Sequence, residues 1–349
     1  MRGTRRLITI ACGCAALIVS APRAQQGSDT AALDQFISKE FLAKPAEITR
    51  VREGRPYVTL LPSTHDREIV VGGVIKISAP AERTVAAIRD IEQFESGEGF
   101  LQTKRLSNPP TLNDFAAYQV DPKDLESLRR CKPGSCDVKL TRATLSLLQD
   151  INWSAPEVRN RVSALARQAA FDYVQAYRRG GNSALAVYTD AERPTFVEKE
   201  FEEMVQRAST MPSRLPQLMQ FLLEYPTVAN RAAFEDFFYW SVAEFGLKPT
   251  FRLNHLVIHT VPQPSPVRFA IATKQLYANH YFHTALEVRA LVGESADASS
   301  HYLVVLNMAR SDGLTGLFGG IVKSKAQSGA RDGMLKALIA TREIVERRR

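Results

Sequence analysis

Hydrophobic residues recur every second position from Arg67 to Ser78, at Ile69, Val71, Ile75 and Ile77 with Val70 and Val74 opposite, which predicts a β-strand. Gly72-Gly73 in its middle predicts a bulge. After Ser78-Ala79-Pro80 the period lengthens: Val85, Ile88, Ile91 and Phe94 follow helical spacing. Phe100–Leu106 and Phe115–Val120 read as two more strands, separated by the turn Asn108-Pro109-Pro110. From 122 to 226 the pattern is helical almost throughout. Ser154-Ala155-Pro156-Glu157 has the form of a capping box, opening a helix through Val158, Val162, Leu165, Ala169 and Val174 that stops at Gly180-Gly181. Thr195-Phe196-Val197-Glu198 is a second such box, and Leu215–Tyr225 predicts a further helix. Then the pattern turns to strands: Asp236–Phe245, Thr250–Val261, Val267–Leu276, His280–Val292 and Tyr302–Arg310. The connections between them are short, so successive strands should pair antiparallel. A long helical stripe closes the chain (Val322, Ala326, Gly329, Gly333, Ala337, Ile344, Val345), and its small residues predict a close approach to the sheet.

These patterns predict an α+β fold, with an antiparallel sheet, a long C-terminal helix and an all-helical stretch within the chain. The expected divisions are a leader, 1–24, an adaptor segment, 25–66, with a helix near Ala31–Phe41, a sheet-and-helix domain, 67–121 and 234–349, and a helical insertion, 122–233.

The leader changes the reading of the composition. Arg2, Arg5 and Arg6 precede Leu7–Ala21, an apolar run of 15 residues, and Ala21-Pro22-Arg23-Ala24 leads into a polar stretch. That is the form of a cleavable export signal, too short to span a bilayer, with cleavage expected after Ala24. Thr4-Arg5-Arg6-Leu7-Ile8 also partly matches a twin-arginine signal, and Cys12 or Cys14 offers a lipidation site. Cleavage would remove four of 45 basic residues, leaving 41 against 37 acidic, so the net charge falls from +8 to +4. Such a balance argues against a nucleic-acid partner. The tail Arg347–Arg349 reads as a solvated helix end or a weak membrane-surface contact. Two cysteines would remain, Cys131 and Cys136, flanking a Pro133-Gly134 turn. In an oxidising compartment, periplasmic or extracellular, that spacing predicts a local disulfide.

The segment Val74-Ile75-Lys76-Ile77-Ser78-Ala79-Pro80-Ala81-Glu82-Arg83-Thr84-Val85, with Asp90 and Phe94, and the closing Asp312-Gly313-Leu314-Thr315-Gly316-Leu317-Phe318-Gly319-Gly320 carry a family resemblance. Over roughly 67–120 and 234–347 the chain resembles the START-like, or polyketide-cyclase-like, helix-grip superfamily. The helical stretch 122–226 departs from that plan. The resemblance implies a curved antiparallel sheet gripping a long C-terminal helix, with the helical stretch as an inserted all-helical subdomain and, between sheet and last helix, an apolar cavity of a kind that often binds lipids, sterols or aromatic molecules. It does not by itself separate carriers from enzymes or interaction modules.

The densest polar-aromatic stretch runs from Lys274 to His283. Alternation puts Lys274, Ala278, His280 and Phe282 on one face and Gln275, Tyr277, Asn279, Tyr281 and His283 on the other, unless a turn near Asn279 resets it. Trp240, Lys274, Tyr277, His280 and Tyr281 are the candidate ligand-binding residues; the alternative for each is ordinary packing. The neighbouring strand carries Asn254, His255 and His259, the two histidines on one face and too far apart to chelate as a pair; His255, His280 and His283 could meet across strands, but no carboxylate spacing supports a metal there. His280 with Asp312 or Glu244 would serve acid–base chemistry only if folding joined them. Glycines 313, 316, 319 and 320 suit an anion-binding helix start or a tight strand-to-helix crossing. No nucleophile elbow, zinc-protease motif or phosphate loop occurs, and no catalytic residue, metal or cofactor is expected. The expectation is therefore an exported soluble protein binding a hydrophobic or amphipathic small molecule or envelope lipid. An enzyme acting in the same cavity, using His280 with Tyr277 or Lys274, and a module docking an envelope protein through the helical insertion are the alternatives.

Overall fold

The computed structural model describes residues 23–208, 211–244, 248–293, 299–316 and 319–347. The expected leader lies outside these except for Arg23 and Ala24. Helices α1 (Arg23–Glu40) and α2 (Pro45–Arg52) precede strands β1 (Tyr57–Leu61) and β2 (Glu68–Ile77). Helices α3 (Ala81–Arg89) and α4 (Ile91–Phe94) lead to β3 (Phe100–Arg105). The helical segment follows: α5 (Pro122–Arg130), α6 (Arg142–Gln149), α7 (Val158–Gly180), the two-residue strands β4 (Val187–Tyr188) and β5 (Thr195–Phe196), α8 (Val197–Arg207) and α9 (Pro216–Glu224). The meander is β6 (Phe234–Ala243), β7 (Thr250–Thr260), β8 (Val267–Ala278), β9 (Phe282–Gly293) and β10 (His301–Ser311), and α10 (Gly319–Arg347) ends the chain.

Eight strands form one open antiparallel sheet in the order β1-β2-β10-β9-β8-β7-β6-β3. The α+β class and the long terminal helix agree with the hydrophobic pattern. Each face of the sheet has its own core. On one face Ile75, Ile77, Leu256, Ile258, Ile271, Leu291, Leu303 and Val305 pack under α3 and α10 (Val85, Ile88, Met334, Leu338, Val345). On the other, Trp240, Val257, Ala272, Leu286, Val288 and Leu306 pack under the helical segment (Leu145, Val162, Val174, Phe201, Leu218, Phe221) and α1. Because both faces are covered, β7 and β10 are buried nearly throughout rather than at alternate residues.

Gly72 and Gly73 form no bulge; β2 pairs in unbroken register with β1 and β10 through both. They are sites of close approach instead. A Cβ on Gly72 would lie 3.0 Å from the Phe41 ring, and one on Gly73 would lie 2.9 Å from Met334 and Leu338 of α10. The small residues of α10 do not make that approach: Gly329 and Gly333 face open space. Three further expectations differ. Phe115–Val120 is no strand; a 3₁₀ turn, Leu112–Phe115, precedes it, and Phe115, Tyr118 and Val120 are buried singly in the core. Neither supposed capping box caps a helix. Asn152 organises the turn ahead of α7, accepting from the Ser154 N–H, and Thr195 and Phe196 are spent on pairing with β4. The adaptor segment hides β1, an edge strand of five residues.

Gly180-Gly181 does end α7: Gly181 adopts φ 58°, and a Cβ there would strike the Tyr225 carbonyl. Cys131 and Cys136 form a disulfide across the Pro133-Gly134 turn, with Cα atoms 4.5 Å apart. The Gly134 and Cys136 N–H groups donate to the Thr189 and Asp190 carbonyls, so the looped segment is pinned beside β4. Among the described residues no helix is long and apolar enough to cross a membrane.

Candidate functional site

Four of the five candidate ligand-binding residues lie away from α10. Trp240 is fully buried on the sheet face beneath the helical segment, its indole N–H donating to the Asp114 carbonyl at 2.9 Å. The Tyr277 hydroxyl donates to the Lys139 carbonyl at 2.6 Å. His280 places Nε2 2.9 Å from the Asp124 carboxylate and Nδ1 3.0 Å from the Asp137 carbonyl. Lys274 is fully buried, with Nζ bonded to Asn182 Oδ1, 3.3 Å from the Tyr177 hydroxyl and 3.8 Å from the centre of the Phe201 ring. Burial holds its amine well below the ordinary lysine range, and the distant charges of Glu202 and Glu198 only partly offset this. Tyr281 stands in the β8–β9 turn at φ 58°, its hydroxyl accepting the Lys248 N–H. All five touch protein partners, and the bonds of three of them, Lys274, Tyr277 and His280, join the helical segment to the sheet or its turn.

Tyr277 shares the Lys274 face, against strict alternation, because the register shifts there: Leu253 pairs with Tyr277 but Asn254 with Gln275, leaving Leu276 as an extra residue. Folding pairs His280 with Asp124, gives Asp312 to His283, and sets His255 Nε2 2.9 Å from Asp236. Burial would raise the Asp312 carboxyl, but its bond to His283 and the adjacent Lys139 charge outweigh that and hold it at about 2. Each of these three histidines has its own carboxylate, and no group of three metal-ligating side chains occurs among the described residues. In the glycine-rich crossing, of which 317 and 318 lie outside the described residues, Gly313 adopts φ 74° and Gly316 φ 94°. Two shallow open hollows lie elsewhere. One of about 360 Å³ runs between α8 and α9, past Val205, Pro216 and Met219; another of about 350 Å³ adjoins Pro133 and Glu192.

A second polar constellation sits on the α10 face, where the resemblance would place a ligand. Register sets Tyr239, Asn254 and Gln275 side by side across β6, β7 and β8. One row on, Thr273, Glu287 and Asn307 are neighbours across β8, β9 and β10. Glu95, just after α4, faces this strip. It accepts from the Tyr239 hydroxyl at 2.9 Å and lies 4.0 Å from the Arg252 guanidinium, which also donates to Ser241 at 2.9 Å. Arg289 is ion-paired with Glu287, which accepts from Asn307 at 3.4 Å. Burial pushes the Glu95 carboxyl above the usual range, against the pull of Arg252 and the Tyr239 bond. Arg252, Thr273, Glu287, Arg289 and Asn307 are half-buried, so the strip reaches solvent along one side. An exposed ion pair, Lys336–Glu98 at 2.9 Å, links α10 to the loop before β3.

Two groups in the strip stand out. Asn254 and Gln275 are 3% and 4% exposed, and neither Nδ2 of Asn254 nor Nε2 of Gln275 has a hydrogen-bond partner among the described residues. A buried donor without an acceptor costs about 1–3 kcal/mol and is rare unless something else satisfies it. Asn254 and Gln275 were both visible in the sequence. Their adjacency was not, because it depends on the extra residue at Leu276. Glu95, Arg252 and Arg289 carried no sequence signal beyond exposed-looking charge.

Fold and strip define an α+β protein whose open antiparallel sheet is covered by a long C-terminal helix on one face and a helical layer on the other. No family model matches the chain, and no curated protein matches it.

Proposed function

We propose that this is an exported binding protein of helix-grip type that carries a hydrophobic or amphipathic small molecule, such as an envelope lipid, on the α10 face of its sheet. The carrying observation is the unpaired Asn254–Gln275 amide pair at the border between the polar strip and the apolar packing under α3 and α10. Beyond Gln275 the face continues with Ala285, Ala309 and Ile69, small or apolar and half-buried, as an amphipathic guest requires. The order of strand, helix, meander and terminal helix supports the helix-grip reading. The signal-like leader and the Cys131–Cys136 disulfide support a periplasmic or secreted site of action.

The test is to express the chain with its own leader in a bacterial host, fractionate the cells, and extract the purified protein for mass spectrometry. Expected are recovery outside the cytoplasm and a co-purifying amphiphile at near-stoichiometric amount. A protein free of bound amphiphile that also fails to take up the neutral probe Nile red would overturn the carrier reading.

A further inference from the structure

The charged groups of the strip already answer one another. Glu95 accepts from Tyr239 and faces Arg252, and Glu287 is paired with Arg289 and bonded to Asn307. Nε of Arg252 makes no hydrogen bond among the described residues, but its guanidinium donates to Ser241 and its charge faces Glu95; the strip's uncharged donors without a partner are the two amides of Asn254 and Gln275, on adjacent strands in direct register. A guest bringing a full negative charge would disturb ion pairs that are largely shielded from water, where desolvation is costly. A guest bringing a neutral acceptor oxygen would satisfy both donors and leave those pairs intact. The half-buried row Ala285–Ala309–Ile69 lies next along the same face and offers an apolar bed for whatever is attached to that oxygen.

We infer that the polar end of the ligand is an uncharged carbonyl, of an ester, ketone or amide, seated between the side-chain amides of Asn254 and Gln275. This rests on the carrier reading above. The preference for a neutral head group is then built into two residues rather than into the size of the site.

Displacement of Nile red from the full processed protein by methyl decanoate and by decanoate separates the possibilities, since the chains match and only the head group differs. Methyl decanoate should compete at a concentration at least about tenfold lower. Asn254→Leu and Gln275→Met should each weaken methyl decanoate about tenfold, narrow its advantage over decanoate, and raise the melting temperature, because each removes an unsatisfied buried donor. A merely structural amide would lower the melting temperature when replaced. Tighter binding of decanoate would overturn the head-group assignment and leave the carrier reading standing. Failure of Nile red and both amphiphiles to bind would overturn the carrier reading and this inference with it. Variants with raised melting temperature and unchanged methyl decanoate binding would show that the amides hold water, and would also overturn it. Gln275→Met, nearly the same in volume, keeps the test open if Asn254→Leu does not fold.

Discussion

Lys274 shows what a single buried charge costs. Its amine sits among Tyr177, Asn182 and Phe201 and forms no ion pair among the described residues. Folding therefore favours the neutral amine, while the unfolded chain binds a proton up to about pH 10.5. The unfolded state holds the extra proton, so stability rises with pH until the unfolded lysine also deprotonates. Urea unfolding at pH 7, 8.5 and 10 should show the wild type gaining stability with pH and Lys274→Met losing most of that slope. Asp312 behaves in the opposite sense. Its carboxyl is held at about 2, below the ordinary 3.8, so its contribution is complete above pH 3.8 and disappears as the pH falls through about 2. Asp312→Asn should be less stable than wild type at neutral pH, with the gap closing in acid; thermal melts from pH 6 to pH 2 would show whether it closes. Of these residues the sequence exposed identity and alternation, not which layer covers which face. Lys274 and Gln275 are neighbours in the chain and belong to opposite sides of the sheet, one beneath the helical layer and one in the strip. No periodicity distinguishes a face destined for α10 from one destined for α7.

Among elements, the meander was the most legible, because its strands are β-branched and its turns carry Gly and Pro. The helix starts were the least. A capping box is a local pattern, and tertiary pairing of Thr195 and Phe196 with β4 outweighed it. Helix α10 gives the cleanest contrast between local and tertiary demands. Gly329→Ala and Gly333→Ala add a methyl group in open space on a helix, so each should stabilise by about 0.5–1 kcal/mol. Gly73→Ala puts the same methyl group 2.9 Å from Met334 and Leu338 and should cost about 1–3 kcal/mol. Equilibrium denaturation of the three variants would check the reversal of sign. The disulfide closes a short loop already pinned by backbone bonds to 189 and 190. The double variant Cys131→Ser, Cys136→Ser should stay folded and lose at most about 2 kcal/mol in the same assay.

At the scale of the whole molecule, the helical segment lies between β3 and β6 in sequence and forms a structural layer in space. Its apolar side chains are the cover of Trp240, Val257, Leu286 and Val288. Arg310 strengthens that joint. It is fully buried, donating to Glu68 at 3.0 Å on β2 and to Glu200 at 2.8 Å on α8. Removing its charge leaves the shielded Glu68 carboxylate without an ion pair among the described residues and Glu200 with Arg67 as its remaining arginine, so Arg310→Met should cost about 3–5 kcal/mol, measured by chemical denaturation. Deleting 122–233 should yield an insoluble chain rather than a smaller sheet-and-helix domain, as circular dichroism and sedimentation of the truncated protein would report. The helical segment and this face of the sheet share one core, since a sheet with one bare apolar face has nowhere else to hide it.

The paired glycines of β2 give this architecture a mechanical property. At Gly72 and Gly73 the sheet carries no side chain on either face, and Phe41 from one layer and Met334 with Leu338 from the other press on the same two peptide units. The wall between the α10 layer and the layer on the opposite face is there only one backbone thick. A displacement of α10 at Met334 and Leu338 would therefore reach Phe41, just after α1, across two peptide units and without passing around the sheet edge.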